Sequence, residues 1–180
     1  MTETPTSAAQ PGWRLISRAD TPFVYELVTL VDPRWWRFSR KGLEPSILLE
    51  NAQSVAAGVI IHNETGRPVA CGVLTDAGAS TTGTLEYFAR PDERSLSLAR
   101  QFAPEIIRAA FTGSPIRRLY HERFEGDPDV LGEMANLFEV EVTYPSFAQV
   151  AGRLEQRTVS ALTRERFSEW AATSTGEAHT

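Results

Sequence analysis

The run Thr84-Leu85-Glu86-Tyr87-Phe88-Ala89, stopped by Arg90-Pro91-Asp92-Glu93 and followed by Arg94-Ser95-Leu96-Ser97-Leu98-Ala99, decides the fold. Its first part is short, apolar and aromatic, with a Gly/Ser/Thr loop before it and Pro-Asp after it, the pattern of a strand. From Arg94 the apolar residues Leu98, Phe102, Ile106 and Ala110 recur at helical spacing, so a helix packs one stripe against the sheet. A strand that feeds a helix start is also a phosphate-binding geometry. The first-turn amides have no helical acceptor, and the positive end of the helix dipole stands behind them.

Working outward, Trp13 to Arg18 reads as a strand, and Asp20-Thr21-Pro22 as the cap and first turn of a helix with Phe23, Leu27 and Leu30 on its buried stripe. A short helix is expected from Pro45 to Ala52. Val55 to His62 and Val69 to Leu74 form a hairpin about Asn63-Glu64-Thr65-Gly66-Arg67-Pro68, with Gly66 left-handed. Ile116 to Phe124 reads as a strand, Asp127 to Leu137 as a helix, and Glu139 to Thr143 and Leu154 to Leu162 as closing strands. The expected architecture is α+β: a central, mostly antiparallel sheet of about seven strands with helices on both faces.

At 180 residues and 42% hydrophobic, the chain suits a single well-cored domain, here residues 12–170, between tails at 1–11 and 171–180 that have little to bury. Lys+Arg 18 against Asp+Glu 23 leaves a net charge of −5, which calls for no nucleic-acid partner. The only cysteine, Cys71, excludes an internal disulfide and a Cys-rich metal site, and reads as a small buried hydrophobe. No apolar run approaches a membrane span and the start lacks a signal-peptide pattern, so a cytoplasmic setting is expected.

Between Asp32 and Ser46, Trp35, Trp36 and Phe38 alternate with Arg34, Arg37, Arg40 and Lys41. Such a pattern serves either a nucleic-acid stacking platform or a lid whose rings cover a pocket, and the acidic balance of the chain favours the lid.

Four stretches taken in order, Glu64-Thr65-Gly66-Arg67-Pro68-Val69-Ala70, Tyr87-Phe88-x-x-Pro91, Arg94-x-x-Ser97-x-Ala99, and Gly152-Arg153 with Leu162-Thr163-Arg164-Glu165-Arg166-Phe167, resemble the GNAT superfamily of N-acetyltransferases, and within it the Rim-type branch that acetylates protein N-termini and small amines. The resemblance covers residues 13–168. It implies acetyl-CoA or another acyl-CoA as cosubstrate, no metal, a small-molecule or peptide amine as acceptor, and a monomer or homodimer. It assigns Phe88, Ala89, Arg94, Ser95, Leu96, Ser97, Leu98 and Ala99 to the cofactor, with Ser97 standing where the family carries glycine. Trp35, Trp36 and Phe38 fall in the family's substrate loop. The tyrosine that many members use as general acid corresponds to Glu133.

Amine acylation needs a neutral nucleophile, a polarised carbonyl and a route for a proton. Glu86 is the candidate base, a carboxylate in an apolar strand on the same face as Thr84. Tyr120, Tyr144 and His121 are the candidate acids. Two readings remain: an acyl-CoA-dependent N-acyltransferase, or a GNAT-like domain that binds a ligand or partner without transfer.

Overall fold

The computed structural model describes residues 10–30, 57–77, 81–112, 114–150 and 153–176. The short helix expected at 45–52, the three aromatic residues Trp35, Trp36 and Phe38, and Gly152 lie outside them. Seven strands form a single sheet in the order β1-β2-β3-β4-β5-β7-β6. They are β1 (Gly12–Leu15), β2 (Ala57–His62), β3 (Pro68–Thr75), β4 (Thr82–Ala89), β5 (Arg118–Phe124), β6 (Glu139–Val150) and β7 (Arg153–Thr163). Every neighbouring pair is antiparallel except β4–β5. The helices are α1 (Thr21–Leu30), α2 (Glu93–Phe111) and α3 (Arg164–Gly176).

Alternation along the central strands sorts the core onto two faces. Leu74, Leu85, Tyr87 and Leu119 bury against Leu98, Ala103, Ile106 and Ile107 of α2. On the other face Ile60 and Cys71 meet Leu27 of α1, with Phe23, Val24 and Phe88 packed alongside. Cys71 is fully buried, and that burial pushes its thiol up to about 12, so it is a packing residue. Gly66 turns the β2–β3 hairpin at φ +77°, in the left-handed region expected of it.

Several elements differ from the sequence reading, each for a local reason. Asp20 does not cap α1. Its carboxylate reaches back instead, accepting from the Ser17 amide at 2.8 Å and hydroxyl at 2.9 Å and gripping both terminal nitrogens of Arg14. Pro104 lies inside α2, which runs unbroken from Glu93 to Phe111. The tyrosine hydroxyl of Tyr87 donates to the Ala99 carbonyl at 2.5 Å and ties that part of the helix to β4.

The helix expected over 127–137 is a 3-10 turn, Gly132–Leu137. Asp127 folds back to accept from the Phe124 amide at 2.7 Å, and Asp129 takes the amides of Leu131 and Gly132. Gly132 at φ +56° then breaks the right-handed path that an α-helix needs. β6 outruns its expected end because Pro145-Ser146 makes a bulge, with Ser146 at φ 52°, after which Ala148 pairs with Glu155. Beyond β7, α3 continues to Gly176, anchored by the Phe167 ring 5.7 Å from that of Phe111 on α2 and by the Arg164 guanidinium on the carbonyls of Ser114 and Ile116.

Candidate functional site

The parallel β4–β5 ladder is short. It pairs Thr82 with Arg118, Gly83 with Leu119, Thr84 with Tyr120 and Leu85 with His121, and there it ends. From Glu86 onward β4 keeps only β3, and from Glu122 onward β5 keeps only β7, so the sheet splays open between them. A small cleft, open to solvent, occupies the splay. Glu86, Tyr87 and Phe88 line it from β4, His121 to Phe124 from β5, and Asp127, Pro128 and Val130 from the following loop.

Of the four candidate catalytic residues, Glu86 and His121 line this cleft, from opposite faces of the sheet, and Tyr144 on β6 lies outside it. Glu86 is half-buried on the α1 face, next after the last rung. His121 comes from the α2 face, its ring 5.9 Å from Phe138 and its Nδ1 3.3 Å from the Leu85 carbonyl oxygen. A carbonyl can only accept, so Nδ1 carries the hydrogen and Nε2 is the nitrogen able to exchange a proton. Tyr120 sits one rung behind the opening, paired with Thr84 and with Arg118 over its ring at 5.9 Å, and does not line the cleft. Glu122, Phe124 and Asp127 were missed by sequence reasoning. The signal that could have located Glu122 and Phe124 is their place two and four residues past Tyr120, on a strand whose end leaves its neighbour.

The residues assigned to the cofactor surround the α2 N-terminus. Phe88 lines the cleft, and Ala89 is fully buried beside it. Because α2 begins at Glu93, the Leu96 amide bonds to the Asp92 carbonyl at 3.0 Å, and those of Ser97, Leu98 and Ala99 fall past the first turn, where helical acceptors take them. Ser95 is buried, its amide on one Asp92 carboxylate oxygen at 2.9 Å and its hydroxyl on the other at 2.7 Å. Partial burial raises the Asp92 carboxyl, but these bonds from Ser95 outweigh it and hold the group below its ordinary value. The first-turn amides left for an anion are those of Glu93 and Arg94. Arg94 itself is ion-paired with Glu64, and Arg90 with Glu26 at 2.7 Å. The turn thus offers an anion two amides, while the two arginines near it are paired with the chain's own carboxylates.

No family model and no curated protein sequence matches the chain. Solved structures do. The spermidine N-acetyltransferase from Vibrio cholerae, in complex with CoA and spermine, superposes with a TM-score of 0.71 at 13% identity, over 88% of this chain and 98% of that one. A putative phosphinothricin N-acetyltransferase matches with a TM-score of 0.65 at 14% identity, over 86% of this chain and 98% of that one. The chain thus has the fold of the GNAT N-acetyltransferases. No helix among the described residues is long and apolar enough to cross a membrane.

Proposed function

We propose that the protein is an acyl-CoA-dependent N-acyltransferase that moves an acetyl group from acetyl-CoA to a primary amine of a small molecule or a peptide N-terminus. The observation that carries this reading is the opening of the sheet at Glu86 and His121 in a chain with this fold. When bound, acetyl-CoA supplies an activated thioester. The residues of this chain then have to bind the amine, remove its proton and keep the reacting atoms in line. Glu86, Asp127 and the Arg157-paired Glu122 line the cleft with Arg123, a set of carboxylates that suits a protonated amine arriving from water. Glu86 receives the amine's proton, directly or through a water, and Nε2 of His121 is the group placed to return one. The Rim-type affinity rests on the order of the four sequence stretches, and a small amine is supported by the spermine in the Vibrio cholerae structure.

A second reading, binding without transfer, is favoured by the Asp92–Ser95 cap, which fills an amide that a pyrophosphate would otherwise take. A melting experiment with CoA and acetyl-CoA, followed by acetylation of a pooled set of amines and peptides, separates the two. A ligand at 100 times its dissociation constant stabilises by about 2.7 kcal/mol. A rise in melting temperature with acetylated product supports transfer; no response to either cofactor form overturns it.

A further inference from the structure

From the wall of the cleft an aromatic shelf runs outward along the β6–β7 hairpin. Phe124 lines the cleft, and its ring lies 6.3 Å from that of Phe147. Phe147 in turn lies 5.6 Å from Tyr144. The Arg157 guanidinium covers both outer rings, 4.7 Å from the centroid of Phe147 and 5.8 Å from that of Tyr144, while ion-pairing with Glu122, itself part of the cleft lining. The outer rings stay open, Phe147 at 39% and Tyr144 at 42% exposure. Large rings held apart from the core but continuous with a polar cleft are costly to leave in water, and their order along β6 makes them one surface with the cleft.

We infer that this shelf binds the body of the acyl acceptor, and that the acceptor is a monoamine carrying an aromatic or bulky apolar group. This rests on the acyltransferase reading. The carboxylates deep in the cleft hold the ammonium, and the rings outside it hold the body. The rings supply the discrimination: an aryl group meets the exposed parts of Phe147 and Tyr144, whereas an ammonium on the shelf gives up water to meet an Arg157 already paired with Glu122. The transfer forms the bond from amine nitrogen to acyl carbon and breaks the carbon–sulfur bond. The nitrogen's proton passes to the Glu86 side, and the departing thiolate is reprotonated, so the products are the amide and CoA.

The test compares 2-phenylethylamine, n-propylamine and spermidine as acceptors in the wild type and in Phe147→Ala, with Phe147→Leu as a variant that keeps apolar area without a ring. Both substitutions fall on exposed hairpin positions outside the core. Phenylethylamine is expected to be the best acceptor. Phe147→Ala should raise its KM about tenfold with kcat unchanged, Phe147→Leu about threefold, and neither should alter the KM of propylamine. A preference for spermidine, an unchanged KM for phenylethylamine, or an equal loss for propylamine overturns the shelf. Calorimetric titration of phenylethylamine without cofactor keeps the two readings apart. Binding that weakens in Phe147→Ala with no acetylated product sustains the shelf and overturns transfer, and no binding of phenylethylamine to the wild type overturns the shelf.

Discussion

The carbonyl oxygen of Leu85 lies 3.3 Å from Nδ1 of His121, across the last rung before β4 and β5 part. One imidazole nitrogen is thus committed to the backbone at the hinge of the splay, beside the cleft that the residue lines. Asparagine reproduces the donating Nδ1 position and lacks Nε2. His121→Asn is expected to unfold within about 0.5 kcal/mol of the wild type while losing about tenfold or more in kcat; His121→Ala, which leaves the carbonyl without this donor, should lose about 1 kcal/mol of stability as well. Urea midpoints with steady-state rates check both, and normal turnover in His121→Asn would remove the proton-exchange role.

Asp92 separates charge from occupancy at the start of α2. Asparagine caps a helix about as well as aspartate, so Asp92→Asn removes the charge and retains a bond to the Ser95 amide, whereas Asp92→Gly frees that amide as well. CoA affinity should rise about threefold in the first and about tenfold in the second, measured by calorimetry. Equal or weaker binding in both variants would mean that the cap does not compete.

How far the sequence reached follows from which signals are local. The strand Thr84–Ala89 and the stripe Leu98, Ile106 and Ala110 were legible because each side chain packs as its own periodicity demands. The 3-10 turn at Gly132 was not, because Asp127 and Asp129 both look like helix caps, and only the fold-back onto Phe124 shows what Asp127 does. At the site, Glu86 and His121 could be picked from their chemistry. Their meeting depends on where the ladder stops, which is set by β7 holding β5 and β3 holding β4, and no short stretch of sequence encodes that competition. The shelf was invisible for the same reason. Tyr144, Phe147 and Phe124 are brought together by the bulge at Pro145-Ser146 and by pairing across β7.

The Arg14 guanidinium, joined by the Ser17 amide and hydroxyl and opposed by burial, holds the Asp20 carboxyl down to about 2 from an ordinary 3.8. Asp20 is 4% exposed but its partner Arg14 is nearly half exposed, so water screens part of the pair. A depressed carboxylate contributes stability above its unfolded pKa and loses it as pH falls through the folded one. The contribution, about 2 kcal/mol, is therefore complete at pH 5 and above and disappears between about pH 4 and pH 2. Asp20→Asn should lower stability by about that amount at pH 7, and the gap between the two proteins should close over the same acid window. Urea midpoints taken at a series of pH values measure it; a constant gap down to pH 2 would place the stabilisation in packing.

Glu86 is the residue on which the chemistry of the cleft turns. It follows the last β4–β5 rung, stays paired through β3 with Val73, and stands between Thr84 and Phe88 on the α1 face, so its carboxylate is held by the sheet at the mouth of the splay. A general base in such a place contributes about 10²- to 10⁴-fold. Glu86→Gln keeps the size and the backbone pairing and removes the acceptor of the proton, so turnover should fall by about that factor while CoA affinity, set some residues away at the start of α2, is unchanged. The loss should ease as pH rises, because a larger share of the amine then arrives already neutral. Normal turnover in the glutamine variant at pH 7 would show that the proton leaves by another route, and a parallel loss of CoA binding would assign Glu86 to the architecture of the splay instead of to the reaction.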